Sequence, residues 1–174
     1  MKVISENGIK FLQGLEGCCS KIRDKNIPLN EIDLAKNSII VYPYKCSAGC
    51  VTIGYGTRIY DDNNKLIYKN TFENGITLSK CTQLLKDKLT EFETLVNKWL
   101  TVNVNQNQFD ALICLCYNRP IWAKKIIIEF INTYYKDDVD KIVTKWINMS
   151  TVQKQLNRGL LNRRQKECEL YFSN

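Results

Sequence analysis

The feature that most constrains the fold of this chain is a change in hydrophobic spacing at Thr77. Before it, residues 39–60 are rich in β-branched and aromatic side chains, and Ser-Ala-Gly at 47–49 divides them with a turn signal. Asp-Asp-Asn-Asn-Lys at 61–65 signals a second turn ahead of the segment LIYKNTF at 66–72. After Thr77, apolar residues recur every three or four positions, as on one face of a helix: Cys81, Leu84, Leu85, Leu89, Phe92, Leu95, Val96 and Trp99. The pattern predicts a small β-hairpin or three-stranded sheet, then a long helix that begins at Thr77 or Ser79.

Further helices are predicted before and after the long one. Residues 4–15 fit a short amphipathic helix with Ser5 as its N-cap and an end near Gly17. Asn105 and Gln108 match a capping box ahead of an apolar helix that Pro120 interrupts. Later helices are expected over residues 123–134, 137–147 and 162–172. The order of elements therefore predicts an α+β chain, in which a small mixed lobe precedes an all-helical lobe.

The ionisable side chains narrow the possible chemistry. The chain has 174 residues, a formal net charge of +7 and no histidine. The missing histidine removes the commonest general base and the commonest metal ligand, so catalysis must rest on carboxylates, thiols, hydroxyls or the backbone. A basic surface favours an anionic partner such as a bacterial wall polymer. The basic residues are scattered, apart from 158–164 and 124–125, so we expect no nucleic-acid partner. Because histidine is missing, we also expect no bound metal.

The cysteines are expected to remain reduced. Eight are present, at positions 18, 19, 46, 50, 81, 114, 116 and 168, and none of the spacings is Cys-x-x-Cys. The first residues contain no apolar run of signal-peptide length, and no stretch approaches the roughly 18 apolar residues of a membrane span. We therefore expect synthesis in a reducing cytosol, with no stable membrane anchor. Cys81, Cys114 and Cys116 are predicted to be small core residues.

Five segments, taken in order, resemble the phage-type lysozymes of glycoside hydrolase family 24. They are the opening GIKFLQGLEG with its Glu-Gly pair, the hairpin YKCSAGCVTIGYG, the helix start ITLSKCTQLLKDKL, the segment LTVNVNQNQFDALICLCYN and the final GLLNRRQKECELY. The resemblance implies an α+β, lysozyme-like fold: a small lobe with a β-hairpin sheet, joined by a long helix to an all-helical lobe. It implies one domain over residues 1–174, with an α/β lobe at 12–76 that carries an insertion at 19–41. Residues 77–174 would form the helical lobe, with a helix over 1–11 packed on it.

The resemblance also implies a function. Phage-type lysozymes are muramidases, which hydrolyse the β-1,4 bond between N-acetylmuramic acid and N-acetylglucosamine in peptidoglycan. The chain would then be a monomeric endolysin that needs no cofactor. It would be made in the host bacterial cytoplasm and reach the peptidoglycan layer after holin-type release. The alternative is a catalytically weak or inactive lysozyme-fold protein that only binds glycan.

The family's catalytic groups fall on Glu16, Cys46 and Thr52. Glu16, in the Glu-Gly pair, matches the general acid, and Thr52 matches the catalytic threonine. Position 46 holds a cysteine where the family has its second carboxylate. Tyr55, Tyr117 and Asn118 are candidates to bind sugar, whereas Trp122 is expected to pack in the core. Two further departures are Thr57, where the family usually has histidine, and a spacing of thirty positions between Glu16 and Cys46.

Cys46 allows three interpretations. As a working replacement, its thiolate positions a water molecule or attacks the anomeric carbon. As a lesion, it leaves the site weak or inactive, because an ordinary thiol is mostly protonated near pH 7. As a redox switch, it pairs with Cys50, Cys18 or Cys19 and blocks the site when it is oxidised. The first and third interpretations are compatible.

Overall fold

A computed structural model describes residues 1–17, 39–46, 49–68, 72–134, 138–152 and 155–173. These residues form two compact units. One unit comprises residues 13–87, and the other comprises residues 1–12 together with 88–174. Most of the expected insertion, residues 19–38, and the cysteines at 18 and 19 lie outside the described residues. The domain boundaries expected from the resemblance remain a prediction.

Helix α1 (Glu6–Glu16) begins and ends as its sequence predicts. The backbone N–H of Gly8 donates to the hydroxyl oxygen of Ser5 at 3.0 Å, which makes Ser5 the N-cap. Gly17 follows the last helical residue with a φ of 57°, a left-handed conformation in which glycine has no steric penalty. The boundary between the two units falls inside this helix, between Leu12 and Gln13.

In the unit at 13–87, the described residues form two small antiparallel sheets. Strands β2 (Tyr44–Lys45), β3 (Val51–Ile53) and β4 (Thr57–Arg58) form a three-stranded sheet. Its third strand is not the predicted segment after the turn at 61–65, because the glycine turn at 54–56 divides the predicted second strand into β3 and β4. Strand β1 (Ile40–Val41) pairs instead with β5 (Ile76–Thr77), immediately before the long helix. The turn at 61–65 is confirmed, since the carboxylate of Asp61 accepts hydrogen bonds from the backbone of Asn63 and Lys65. After this turn, Leu66 forms a single bridge to Tyr60.

The long helix α2 (Leu78–Trp99) confirms the change of period at Thr77. The hydroxyl of Thr77 accepts a hydrogen bond from the backbone of Lys80 at 3.2 Å and caps the helix. Residues of α2 up to Asp87 belong to the unit at 13–87. The core of this unit contains fully buried apolar side chains from both the sheet region and the helix. These are Val41, Ile53, Ile59 and Leu85.

The other unit is mainly helical and is built around α3 (Gln106–Asn118). The predicted capping box is present, because Asn105 and Gln108 exchange side-chain to backbone hydrogen bonds. Residues 109–116 are all buried, as expected for a helix at the centre of a core. Cys114 and Cys116 are fully buried here, and Cys81 is almost fully buried in the first unit, so the prediction that they are core residues is confirmed.

Three further helices complete this unit. Helix α4 (Pro120–Ile126) continues as a π-helical segment (Ile127–Ile131) and a short α-helical turn (Asn132–Tyr134). Helix α5 (Val139–Ile147) leads through a 3₁₀ turn (Asn148–Ser150) to a hairpin of β6 (Thr151–Val152) and β7 (Gln155–Leu156). Helix α6 (Arg158–Phe172) is the last. No helix in the part of the chain that the structure describes is long and apolar enough to cross a membrane.

Three other details differ from the sequence prediction. Helix α4 begins at Pro120, because proline suits the first turn, where its missing N–H is not needed. Helix α6 begins four residues earlier than predicted, because Asn157 caps it by accepting from the backbone of Leu160 at 2.9 Å. Trp122 does not pack in the core: its side chain is 39% exposed, since α4 turns Ala123 and Ile126 inward instead.

Candidate active site

Glu16 is the last residue of α1, and its side chain is half-buried with a buried Oε1 atom. The end of the helix is held in place by neighbouring residues of the same unit. The backbone N–H of Gly17 donates to the carbonyl of Gln13 at 3.0 Å, and the Gln13 side chain donates to the hydroxyl of Thr82 on α2 at 3.0 Å. A partly desolvated carboxyl group at a fixed helix end is the arrangement that a general acid needs.

Cys46 lies where strand β2 turns towards β3. Its backbone N–H donates to the carbonyl of Cys50 at 2.9 Å, and its own carbonyl accepts from Gly49 at 2.8 Å. Gly49 has a φ of 80°, the left-handed conformation expected at the end of a three-residue hairpin loop. Cys46 itself is half-buried, so the hairpin fixes its backbone and leaves the residue partly accessible.

Thr52 is buried in the middle strand of the sheet. Its hydroxyl donates to the carbonyl of Tyr44 on β2 at 3.3 Å, so the hydroxyl proton points towards the backbone. The lone pairs of the same oxygen remain able to accept a hydrogen bond from a water molecule or a sugar hydroxyl. This fixes the hydroxyl of Thr52 as a candidate acceptor.

The strand register brings Cys46 and Thr52 onto one face of the sheet. Thr52 lies opposite Tyr44, and Val51 lies opposite Lys45, so the next pair along the hairpin is Cys46 and Cys50. Residues directly opposite each other share a face, and so do residues two apart on one strand. The side chains of Cys46 and Thr52 are therefore diagonal neighbours.

Arg58 lies on the same face, because it is opposite Thr52 on β4. Its Nη2 atom donates to the sulfur of Cys50 at 3.0 Å, and its Nη1 atom pairs with the carboxylate of Asp62 at 2.6 Å. The hydrogen bond to Asp62 is the main cause that raises the pKa of Arg58, and the attraction of Cys50 adds to it. Sequence reasoning gave no role to Arg58, and only the register of β3 and β4 reveals its position.

Tyr55 occupies the turn between β3 and β4, and its side chain is buried. The glycines on either side have φ values of 59° at Gly54 and 84° at Gly56. A Cβ atom at Gly54 would lie 2.8 Å from the Cβ of Cys81, so this turn packs directly against α2. The structure thus places Tyr55 mainly inside the unit at 13–87, where packing accounts for most of its surface.

Tyr117 and Asn118 lie at the end of α3, in the other unit. Tyr117 is half-buried; its ring centroid is 5.3 Å from that of Phe92, and the Lys88 ammonium lies 5.2 Å from it. The side-chain carbonyl of Asn118 accepts a hydrogen bond from Arg164 at 2.8 Å. Among the predicted site residues, Glu16, Cys46, Thr52 and Tyr55 therefore share one unit, and these two belong to the second.

Arg164 belongs to a buried ionic cluster that sequence reasoning did not assign. Arg163 and Arg164 both contact the carboxylate of Glu167, at 3.0 and 2.9 Å, and the indole N–H of Trp146 donates to the same carboxylate at 3.0 Å. Burial lowers the pKa of Arg164 to about 10 and raises that of Glu167. The i, i+3 and i+4 spacing of Arg-Arg-x-x-Glu on a helix is the signal that could have revealed this cluster.

The residues that the structure describes contain no group of three or more His, Cys, Asp or Glu side chains arranged to hold a metal ion. The sheet face itself presents the thiols of Cys46 and Cys50, the hydroxyl of Thr52 and the guanidinium of Arg58.

Comparison with known sequences points to one family. Residues 37–167 match the family model described as phage lysozyme. An endolysin of Bacillus phage B103 is 30% identical over 172 residues, covering 98% of this chain and 54% of that protein. The family model includes Cys46 and Thr52 but begins after Glu16, whereas the B103 alignment spans nearly the whole chain. The chain spans about half the length of the Bacillus phage relatives that it matches.

Solved structures give the same result for the fold. The endolysin from Escherichia coli O157:H7 phage FAHEc1 superposes with a TM-score of 0.69 and 27% identity, covering 99% of this chain and 94% of that one. A mutant of P22 lysozyme superposes with a TM-score of 0.67 and 25% identity, covering 99% of this chain and 100% of that one. The predicted α+β, lysozyme-like fold is confirmed.

Proposed function

Because the chain belongs to the phage lysozyme family, we propose that it is a muramidase endolysin, which hydrolyses the β-1,4 bond between N-acetylmuramic acid and N-acetylglucosamine in peptidoglycan. The observation that carries this proposal is the shared sheet face of Cys46 and Thr52. The family's second and third catalytic positions fall on these two residues, and the hairpin holds both side chains on one side. Glu16, which is half-buried, is the general acid of this proposal, and the Glu-Gly pair of the resemblance supports this choice.

In the proposed reaction, Glu16 gives its proton to the glycosidic oxygen as the bond to the leaving sugar breaks. The remaining sugar develops the positive charge of an oxocarbenium ion, which needs a nucleophile from the opposite side. Cys46 either supplies its thiolate as that nucleophile or, with Thr52, orients the attacking water. The hydroxyl of Thr52 is suited to accept a hydrogen bond from such a water, because its own proton already points to the Tyr44 carbonyl. In this route the proton that the water loses passes to the Cys46 thiolate.

The product distinguishes these two routes. A thiolate that attacks the anomeric carbon gives a covalent intermediate and, after hydrolysis, a product that retains the anomeric configuration. A water molecule that attacks directly gives an inverted product. Proton NMR of a short chitooligosaccharide or muropeptide substrate, recorded during the first turnovers, would identify the anomer that forms.

In this proposal Tyr117 and Asn118 bind sugar, as the resemblance to phage-type lysozymes implies. Arg164 holds the Asn118 carbonyl oxygen, so the amide NH₂ group is the side that could donate to a sugar acetamido oxygen. Tyr55 contributes mainly by packing, because it is buried. The protein acts as a monomer, made in the host bacterial cytoplasm and admitted to the peptidoglycan layer by a holin-type release.

The test is the clearing of chloroform-treated Gram-negative cells by the wild type and by Glu16→Gln. We expect Glu16→Gln to lower the rate by at least about 100-fold, because general acid catalysis contributes about 10²–10⁴-fold. Glu6→Gln, at the other end of the same helix, is the matched control and should clear at the wild-type rate. If Glu16→Gln clears as fast as the wild type, Glu16 is not the acid and the muramidase proposal fails.

A second comparison tests the sulfur. Cys46→Ser and Cys46→Asp are assayed in the presence of reductant, so that the redox state does not vary. A collapse with serine shows that the sulfur is needed, and a rise with aspartate shows that cysteine is a weaker replacement for a carboxylate. Binding of the wild type to peptidoglycan without any new reducing ends would support the glycan-binding alternative instead.

A further inference from the structure

We propose that Cys50 and Cys46 form a thiol–disulfide exchange site for low-molecular-weight disulfides such as glutathione disulfide. Cys50 attacks first, with Arg58 beside its sulfur, and Cys46 then closes an intramolecular Cys46–Cys50 disulfide. The exchange chemistry does not depend on the function of the protein. Its consequence, that oxidation removes the Cys46 sulfur from the active site, rests on the proposed function.

The hairpin presents the two cysteines to each other. Tyr44 pairs with Thr52 and Lys45 pairs with Val51, so continuing the register places Cys46 opposite Cys50, and their backbones are joined by a 2.9 Å hydrogen bond. Only this one hydrogen bond joins them, since the Cys46 carbonyl accepts from Gly49, and opposite residues of antiparallel strands have Cα atoms about 4.5–5.5 Å apart. Disulfides form at Cα separations of about 4.4–6.8 Å, so this pair can be bridged with little backbone movement.

Arg58 gives Cys50 the environment of an attacking thiol. The Nη2 atom of Arg58 is 3.0 Å from the sulfur of Cys50. A guanidinium this close is a charged hydrogen-bond donor, which orients the Cys50 sulfur and stabilises the negative charge that the sulfurs share during exchange. Asp62 holds the other end of the guanidinium at 2.6 Å and orients it without covering Cys50.

The other described cysteines are poorly placed for this reaction. Cys81, Cys114, Cys116 and Cys168 are all buried, whereas Cys46 and Cys50 are half-buried. Burial also raises the pKa of Cys116 and of Cys168 to about 12, which keeps them protonated. Small disulfides therefore meet the hairpin thiols first. Cys18 and Cys19 lie outside the described residues, so the experiment below includes variants at both positions.

The exchange is balanced in two steps. The Cys50 thiolate attacks one sulfur of the small disulfide, which forms a mixed disulfide on Cys50 and releases one small thiolate. The Cys46 thiolate then attacks the Cys50 sulfur, which closes the protein disulfide and releases the second small thiolate. The two cysteines together lose two electrons, the small disulfide gains them, and the two protons leave with the released thiols.

The first test maps the disulfide in the whole chain. Reduced protein is incubated with glutathione disulfide at neutral pH, quenched with an alkylating agent, digested and analysed by mass spectrometry. We expect one intramolecular Cys46–Cys50 disulfide, both in the wild type and in a Cys18→Ser/Cys19→Ser double variant. Pairing of Cys46 with Cys18 or Cys19, or the absence of any intramolecular disulfide, would overturn the proposal.

The second test measures the rate at which Cys50 reacts. In Arg58→Gln the exchange should be about threefold slower, because the attacking sulfur loses the charged hydrogen-bond donor that lies 3.0 Å from it. The matched control is Arg158→Gln, which removes an exposed arginine from the other unit and should leave the rate unchanged. An unchanged rate in Arg58→Gln would contradict the assigned role of Arg58.

The third test links the disulfide to activity. Oxidised wild type should lose most of its clearing rate and regain it with reductant. Cys50→Ser should clear at the wild-type rate when reduced and should form no intramolecular disulfide. If the disulfide forms but the reduced protein does not clear cells, the exchange site stands and the proposed function fails. If the reduced protein clears cells but no Cys46–Cys50 disulfide forms, the exchange site fails and the proposed function stands.

Discussion

At the scale of single residues, Gly54 shows how the sequence Gly-Tyr-Gly shapes the candidate site. Gly54 has a φ of 59°, which a residue with a side chain adopts only at a cost, and its backbone lies against Cys81 of helix α2. Both constraints act next to Thr52, two residues upstream. The turn thus fixes the end of the strand that carries the candidate hydroxyl.

The variant Gly54→Ala should therefore be strongly destabilised. Its new Cβ would lie 2.8 Å from the Cβ of Cys81, and the left-handed conformation adds its own penalty. Together we expect a loss of about 2–4 kcal/mol in the free energy of unfolding, measured by urea denaturation. Gly14→Ala is the control, since a Cβ added at Gly14 would meet nothing within 4 Å and alanine favours helices, so it should be neutral or up to about 1 kcal/mol more stable. Equal stability of both variants would contradict this account.

The sequence predicted which residues carry the motifs, but it did not predict which side chains contact them. Glu16, Cys46 and Thr52 could be found because they lie within short recognisable segments. Arg58 could not, because its contact with Cys50 depends on the pairing of β3 with β4, which no local pattern specifies. The catalytic roles of these three residues remain a prediction, which the variants above test.

At the scale of elements, the Glu167 carboxylate of helix α6 is the shared acceptor of a buried cluster that joins α6 to Trp146 of helix α5. Two guanidinium groups and the indole N–H of Trp146 all point to this fully buried carboxylate. Burial disfavours each isolated charge, and the partner's charge opposes the resulting pKa shift in both Glu167 and Arg164. Removing one charged member should therefore destabilise the folded protein, because the remaining charge would stay buried without its partner.

Removing the carboxylate should be costly for this reason. In Glu167→Ala, Arg163 and Arg164 would be left as buried cations without their anion, and we expect about 3–5 kcal/mol of destabilisation. Glu169→Ala, on the exposed side of the same helix, should change the stability by less than about 0.5 kcal/mol. Thermal and urea unfolding followed by circular dichroism would measure both. A small effect of Glu167→Ala would show that water or a rearranged partner can replace the carboxylate.

Long, periodic elements were predictable, and short ones were not. Helix α2 and the capped start of α3 follow from spacing and from the Asn105–Gln108 pair. The β6–β7 hairpin has only two residues on each strand, so it produces no alternating pattern. The π-helical turn within 127–131 has the same apolar residues as an α-helix, and only the packed structure selects it.

At the scale of the whole molecule, the net charge of +7 is the property that bears on where the protein binds. The basic residues are distributed along the sequence and do not form one continuous stretch. Exposed charges attract an anionic surface over a distance set by the Debye length, which is about 10 Å at 0.1 M salt and about 3 Å at 1 M. Attraction to an anionic cell wall should therefore depend on ionic strength, separately from recognition of the sugar.

Binding of Glu16→Gln to purified cell walls would measure this electrostatic attraction separately from hydrolysis, because the variant should not degrade the walls. Between about 0.1 and 1 M NaCl we expect the dissociation constant to rise about tenfold, which equals about 1.4 kcal/mol of lost attraction. Two charge variants locate its origin: Lys124→Gln/Lys125→Gln removes an adjacent exposed pair, and Lys80→Gln/Lys98→Gln removes two separated exposed lysines. Equal weakening by both indicates that the total charge matters, as the scattered distribution predicts. A larger effect of the first pair would locate a binding patch on α4, and binding that salt does not change would mean that glycan contacts alone hold the protein.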